Sequence, residues 1–143
     1  MAITQAVCNS FKTELLTATH NFTNSTGDAF KLALYTSAAT MDKTTTAYSA
    51  TNEVGASGSY SAGGGALVSS TPVLSGDTAV CDFVDLAFTS ATITARGALI
   101  YNSSKSNKAV LVLDFGSDKT STAGTFTITF PAPAAGTAIL GLA

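Results

Sequence analysis

This sequence is poor in charged side chains. Aspartate, glutamate, lysine and arginine make up 11% of its 143 residues, whereas about 25% is usual in soluble domains. It contains one arginine, one histidine and no tryptophan. The net charge is −2 and the lysines are scattered rather than arranged as the basic stripe of nucleic-acid-binding proteins. We therefore expect no nucleic-acid partner.

Membrane and secretion signals are also missing. No apolar run approaches the roughly 20 residues that span a bilayer, and the start MAITQAVCNSFKTELL has no basic segment followed by an apolar one. We expect neither a membrane partner nor secretion. The two cysteines, Cys8 and Cys81, lie far apart without CxxC spacing. This spacing predicts reduced, buried thiols rather than a zinc site or a disulfide framework.

Motifs for catalysis are absent. The single histidine, His20, has no HExxH or HxH pattern, and no serine lies in GxSxG. Asp82 and Asp85 are three residues apart, which places them on opposite faces of a strand. The glycine-rich GASGSYSAGGGA lacks the Gly-Lys-Ser/Thr ending of a phosphate-binding loop. We expect no enzymatic activity, no metal site and no cofactor.

Threonine and serine are abundant instead, and they favour a β protein. Threonine is β-branched and fits a pleated surface, while serine, asparagine and glycine close turns. The regular strand spacing predicts one domain over residues 1–143, an antiparallel β-sandwich of jelly-roll or related type. A hairpin turn is predicted at Gly76 and Asp77. The predicted strands are AFKLALYTS, ALVSSTPVLS, TAVCDFVDLAF, ATITARGALIYN, AVLVLDFG, TFTITF and the weaker TAILGLA.

One amphipathic helix is predicted at the N-terminus. Apolar residues recur there at spacings of three and four, which is the period of a helix with one buried face. The pattern predicts a helix from about residue 3 to about residue 18. The residues of the stripe are Ile3, Val7, Cys8, Phe11, Leu15 and Leu16.

A long polar loop is predicted from about residue 37 to about residue 65. Its apolar residues are too few to form a core strand, and long loops in compact domains are usually functional or mobile. We expect this loop to lie at a surface and to become ordered against a neighbouring subunit. Its candidate contact residues are Tyr48, Glu53 and Tyr60.

The single arginine lies in the predicted strand ATITARGALIYN. A short loop joins this strand to AVLVLDFG, and pairing Tyr101 with Ala109 brings Arg96 opposite Asp114. A buried guanidinium needs an acceptor such as a carboxylate, so we predict a structural ion pair between Arg96 and Asp114. The two carboxylates of CDFVDLAF are competing partners, and a role in binding a ligand or an anionic partner group stays open. With complete burial, losing the arginine would cost roughly 3–5 kcal/mol.

Both faces of this hairpin are apolar in that register. Ile100 and Ala98 share a face with Val110 and Val112, whereas Leu99 lies on the other face with the remaining apolar residues. A sheet in a free monomer usually shows one face to water. The hairpin is therefore either central and covered on both sides, or covered partly by another subunit.

The order of the segments carries a family resemblance. NSFKTELL is followed by DAFKLALYTS, TTTAYSATNEV, GSYSAGGGAL, CDFVDLAF, ATITARGALIYN, NKAVLVLDFGSDKTS and GTFTITFP. Over nearly the whole chain this order resembles small virion proteins of tailed bacteriophages, similar to capsid cement or decoration proteins. The resemblance implies a β-sandwich scaffold without chemistry that forms dimers or trimers. It also implies synthesis in the host cytoplasm and assembly on the outer capsid surface, where the protein bridges subunits of the major capsid protein.

A second function is consistent with the same sequence. Other phage proteins of this size are tail-associated modules that bind receptors or glycans. Such a module would use exposed aromatic side chains, and Tyr48 and Tyr60 in the polar loop are the candidates. The lack of tryptophan weakens this alternative, because sugar-binding platforms often use that residue.

Overall fold

The computed structural model of the chain describes residues 2–143. It is mainly β, with 49% of residues in strands and 6% in a helix. Two antiparallel sheets and one short helix form a sandwich-like fold, which confirms the predicted class. The elements are β1 Ala6–Val7, α1 Asn9–Leu16, β2 Phe30–Tyr35, β3 Gly65–Ala66, β4 Ser69–Ser75, β5 Thr78–Phe83, β6 Leu86–Asn102, β7 Lys108–Ile128 and β8 Leu140–Leu142.

The strands form a larger and a smaller sheet. The larger sheet has the order β1-β7-β6-β2-β3, and the smaller sheet has the order β4-β5-β8. The predicted turn at Gly76 and Asp77 joins β4 to β5, where Ser75 pairs with Thr78 and Gly76 has a φ of +62°. The segments AVLVLDFG and TFTITF belong to one 21-residue strand, β7, rather than to two strands. The segment CDFVDLAF is divided between β5 and β6.

The helix is shorter than predicted. It begins at Asn9 and ends at Leu16, whereas Ala6 and Val7 pair with β7 as strand β1. Spacings of three and four do not distinguish one long helix from an extended segment followed by a short helix. Pairing with the edge of β7 gives the backbone of residues 6–7 its hydrogen bonds, and this tertiary contact replaces the first turns of the predicted helix.

The central part of the larger sheet is buried on both faces. Phe30 stacks on Phe22, with ring centroids 4.3 Å apart. Tyr101 pairs with Lys31, so its side chain lies on the face opposite to that of Phe30. On that face Tyr101 stacks on Tyr48 of the polar loop, with centroids 4.8 Å apart. The single chain therefore covers both faces itself, as in the first of the two alternatives above.

The register of the central hairpin contains a β-bulge. Tyr101 pairs with Ala109 as predicted, but Ile100 pairs with Leu111, which leaves Val110 as an extra residue in β7. A shift of one residue moves side chains to the other face. Ile100 therefore shares a face with Leu111 and not with Val110, and the predicted assignment of β7 residues to faces was wrong beyond the bulge.

The far half of the β6–β7 hairpin differs from the central half. Buried apolar residues alternate with exposed ones in residues 86–95 and 125–128, whereas residues 119–124 are exposed or half-buried, so at most one face of this half is covered. Most exposed side chains here are threonines, and we call them the threonine surface. Its members are Thr89, Thr92, Thr94, Thr120, Thr122, Thr125 and Thr127.

Candidate interaction surfaces

Arg96 and Asp114 form an ion pair at an irregular point of the hairpin. The Nε of Arg96 donates to Oδ1 of Asp114 at 3.0 Å. Asp114 pairs with Gly97 rather than with Arg96, and the next pair is Ala95 with Lys119. Between these pairs β6 has one residue, Arg96, whereas β7 has four. Strand β7 therefore forms a large bulge opposite Arg96. The two side chains are consequently 34% and 26% exposed, so the condition of complete burial attached to the cost of 3–5 kcal/mol is not met.

The surroundings of Asp114 indicate a structural role for the pair. The backbone N–H of Gly116 donates to Oδ1 of Asp114 at 2.9 Å. This hydrogen bond and the one from Arg96 lower the pKa of Asp114 below its ordinary value. Asp85, a competing partner in the sequence, instead accepts the backbone N–H of Phe130 at 2.9 Å. The carboxylate of Asp114 thus holds the bulge of β7 and the guanidinium of β6 together.

The candidate contact residues of the polar loop face inward. The hydroxyls of Tyr48 and Tyr60 donate to the two carboxylate oxygens of Glu53 at 2.6 and 2.7 Å. The N–H of Gly63 donates to Glu53 at 2.8 Å. Tyr60 is only 1% exposed, and its hydroxyl also accepts the N–H of Leu34 in β2. Glu53 therefore collects donors from its own loop, and the polar groups of these three residues are bonded to one another within the chain.

Burial also keeps the two loop phenols in their donating form. Desolvation, followed by the neighbouring Glu53 carboxylate, raises the pKa of Tyr48 to about 12. Burial likewise raises the pKa of Tyr60 far above its ordinary value. A phenol is protonated at neutral pH even at its ordinary pKa, so these shifts widen the pH range over which both hydroxyls can donate to Glu53.

Apolar residues fix the rest of the loop to the larger sheet. Met41 and Val54 are buried, and the N–H of Val54 donates to the carbonyl of Leu34 at 3.0 Å. Gly64 has a φ of +84° and lies so close to the backbone of Leu32 that a Cβ atom would clash. A few well-placed residues thus attach the loop to the larger sheet within one chain.

A polar cluster that the sequence did not indicate joins α1 to the β6–β7 hairpin. Asn102 is fully buried, and its Nδ2 donates to Nδ1 of His20 at 3.0 Å and to Oδ2 of Asp28 at 2.8 Å. Since Nδ1 accepts, the other ring nitrogen of His20 donates to Glu14 at 3.0 Å. Lys108 lies 3.3 Å from Glu14. The cluster satisfies its own donors and acceptors, so its role is structural.

The smaller sheet carries an exposed apolar row. Leu74, Ala79 and Leu142 are directly opposite one another across β4, β5 and β8, so their side chains share one face. Leu74 is 72% and Leu142 is 62% exposed. We call these three residues the tip row, because they lie next to the hairpin turn at Asp77. An exposed apolar group of this kind typically marks a contact with another protein.

The charge around the tip row has one sign. Residues 44–95 and 120–143 contain no lysine and no arginine. The smaller sheet and the segment before β8 carry only two charges, the carboxylates of Asp77 and Asp82. The tip row is therefore an apolar surface in an acidic neighbourhood.

The remaining chemical groups are isolated from one another. Both cysteines are free thiols, and burial raises the pKa of Cys8 and of Cys81 to about 11. Within residues 2–143, no three side chains of the histidine, cysteine, aspartate and glutamate types gather to hold a metal ion. In the same range no helix has the length and apolar character to cross a membrane. Comparison of the chain with protein-family models, curated proteins and solved structures found no match.

Proposed function

We propose that this chain is a structural protein of a phage virion that acts as a capsid cement or decoration protein. It assembles on the outer surface of the head and bridges subunits of the major capsid protein. The order of segments along nearly the whole chain supports this proposal through its resemblance to such proteins. The observation that carries it is the threonine surface, an exposed surface on two paired strands that has a single charged residue, Lys119, in residues 86–95 and 119–128.

Exposed apolar side chains are concentrated in one part of the molecule. Six large apolar residues are exposed in the part of the chain that the structure describes; five of them lie on the smaller sheet or directly beside it, and the sixth is Leu16. Scattered apolar residues are normal on a protein surface, whereas a concentration indicates a binding site. The central β6–β7 hairpin, by contrast, does not support assembly. Both of its faces are apolar, but the chain itself covers them. The five residues are Val68, Val73, Leu74, Val84 and Leu142.

We place the contact with the shell on the threonine surface. This surface extends over two paired strands, with Thr94 directly opposite Thr120. Lys119 is the only charged residue in residues 86–95 and 119–128. Hydroxyl groups can donate or accept hydrogen bonds on a neighbouring backbone, and a surface with few charges requires little desolvation of ions. The polar loop is a poorer candidate, because its donors are bonded to Glu53.

Cementing follows from linked equilibria. A protein that binds only the assembled shell stabilises that shell by RT ln(1 + [L]/Kd), about 2.7 kcal/mol per site at a hundredfold excess over Kd. The gain is small at each site and accumulates over the many sites of a capsid. Such a protein needs binding surfaces and a stable core but no reactive group.

The two tyrosines proposed for the tail-module alternative pack within the chain. Tyr60 is buried, and the ring of Tyr48 is stacked on Tyr101. The ring of Tyr60 therefore offers no open face for a sugar, and one face of the half-buried Tyr48 ring is already occupied. A receptor- or glycan-binding role would therefore require other side chains, and no exposed aromatic cluster supplies them within residues 2–143.

Removal of the protein from particles tests the proposal. Virions that lack it, through gene deletion or stripping, should lose their genome at a lower temperature and under milder osmotic shock than complete virions. Adding back the purified protein should restore resistance, and labelled antibody should decorate the head. Equal resistance with and without the protein, or label found only on the tail, would show that the proposal is wrong.

A further inference from the structure

The second exposed apolar site lies at the end of α1. Leu16 is 87% exposed, although the helical pattern predicts that it is buried. Lys12 precedes it by four residues and so lies on the same side of the helix. Within residues 2–143, the Lys12 ammonium has a single hydrogen bond, a long one of 3.4 Å to Asn9. The helix end thus presents one apolar side chain beside one available cation.

The tip row has the shape to receive one such side chain. Neighbouring strands lie about 4.8 Å apart, so Leu74 and Leu142 stand roughly 10 Å apart on either side of Ala79. Because alanine is short, the row forms a shallow groove with leucine walls and an alanine floor. A single leucine side chain fits between the walls. Leu16 and the tip row do not meet within one chain, since both are exposed.

The charges beside the two sites are complementary. Asp77 lies two residues before Ala79, which is about 7 Å at the rise of a strand. Lys12 and Leu16 are separated by about 6 Å on the helix surface. Asp77 takes part in none of the salt bridges formed within residues 2–143. A leucine seated over Ala79 therefore brings the Lys12 ammonium within reach of the Asp77 carboxylate.

We propose that a second copy of this chain binds head to tail, with Leu16 of one copy in the tip row of the next and Lys12 paired with Asp77. Two different surfaces meet, so the contact is heterologous and the copies close into a ring or extend as a chain. This self-association goes beyond the proposed cement function and does not depend on it.

Sedimentation velocity of the purified full chain over a concentration series tests the proposal. The wild-type protein should associate with increasing concentration, and Leu16→Asp and Leu74→Asp should each weaken association at least tenfold. Val84→Asp is the matched control, because Val84 is 58% exposed and lies at the other end of the smaller sheet. All three positions are exposed, so the variants should keep wild-type melting temperatures.

Mixing the two variants distinguishes a head-to-tail contact from a two-fold one. Leu16→Asp keeps an intact tip row and Leu74→Asp keeps an intact helix end, so an equimolar mixture should form one-to-one dimers although neither variant associates alone. Lys12→Asp and Asp77→Lys should likewise associate when mixed. The proposal is overturned if the wild type stays monomeric, if Val84→Asp weakens association as much as Leu74→Asp, or if the mixtures stay monomeric while the wild type associates.

Discussion

The two sheets of this protein use similar residues and reach opposite results. The central strands of the larger sheet are apolar on both faces, and the polar loop covers one face while Phe22 and Phe83 cover the other. In the smaller sheet Val80 and Phe83 are buried, whereas Leu74 and Leu142 are exposed. Apolar composition alone therefore does not decide burial. The decisive factor is which segment of the chain returns over each face.

The largest effect is expected when a buried apolar residue of the larger sheet is compared with an exposed one of the smaller sheet. Ile100 is fully buried in β6, and Ile100→Ala should lower the free energy of unfolding by about 2–5 kcal/mol through lost transfer free energy and the cavity left behind. Leu74→Ala, in the exposed tip row, should change it by less than about 0.5 kcal/mol. Urea unfolding of both variants at low protein concentration measures the difference. Equal effects would mean that the smaller sheet is covered within one chain.

The polar loop gives the next largest effect. Glu53→Ala should destabilise the protein by about 3 kcal/mol, because the hydroxyl of Tyr60 and the N–H of Gly63 lose their acceptor inside the fold. Asp77→Ala, which removes a carboxylate from the exposed turn of the smaller sheet, serves as the control and should be neutral within about 0.5 kcal/mol. Thermal unfolding checks both variants. A neutral Glu53→Ala variant would contradict the inward-facing arrangement of the loop.

The buried polar cluster predicts a pH effect. Burial alone would raise the pKa of Asp28, but hydrogen bonds from Asn102 and Asn21 and the charge of Lys105 lower it below the ordinary value of 3.8. A lowered pKa in the folded state means that ionised Asp28 stabilises the fold above pH 4, and this contribution is lost as the pH falls through the folded-state pKa.

Asp28→Asn measures this contribution. The variant should be less stable than the wild type by about 1–2 kcal/mol at pH 7, because the hydrogen bonds to a charged acceptor are weakened. The difference in the free energy of unfolding between the variant and the wild type should shrink as the pH approaches 2. Unfolding experiments at a series of pH values give both numbers. A gap that does not depend on pH would argue against the charged form as the source of stability.

The smallest effect is expected at the ion pair. Arg96→Met should lower the free energy of unfolding by about 0.5–1 kcal/mol, since a half-exposed pair is screened by solvent. The effect should diminish in 1 M salt, where the Debye length is about 3 Å. Denaturant unfolding at two salt concentrations tests this. A loss near the 3–5 kcal/mol typical of a broken buried pair would instead mean that the bulge is closed to water.

Local patterns in the sequence predicted much of the fold. The β class, the turn at Gly76 and the pairing of Tyr101 with Ala109 follow from strand alternation and turn chemistry. The same register led to the Arg96–Asp114 pair, although β7 contains an extra residue at Val110 and the pair is partly exposed. The extra residue Val110 could not be predicted, because the pattern of apolar and polar residues within one strand does not reveal a bulge relative to its partner strand.

Contacts between distant residues were not predictable in the same way. The inward turn of Glu53 depends on Tyr48, Tyr60 and Gly63 meeting at one point, which no short pattern encodes. Asn102 gave no sign of its role, because its partners lie more than 70 residues earlier in the chain. The exposure of the tip row likewise follows from the absence of a covering segment, which is a property of the whole fold.

The central claim is that the larger sheet is complete in one chain and that the smaller sheet is covered by a second copy. Hydrogen exchange at low and at high protein concentration tests it most directly. The account predicts that amides of β4, β5, β8 and the end of α1 gain protection at high concentration, while those of β2 and of the central β6–β7 hairpin keep the same protection. Unchanged protection of the smaller sheet in a sample shown to be associated, or a gain confined to other strands, would contradict it.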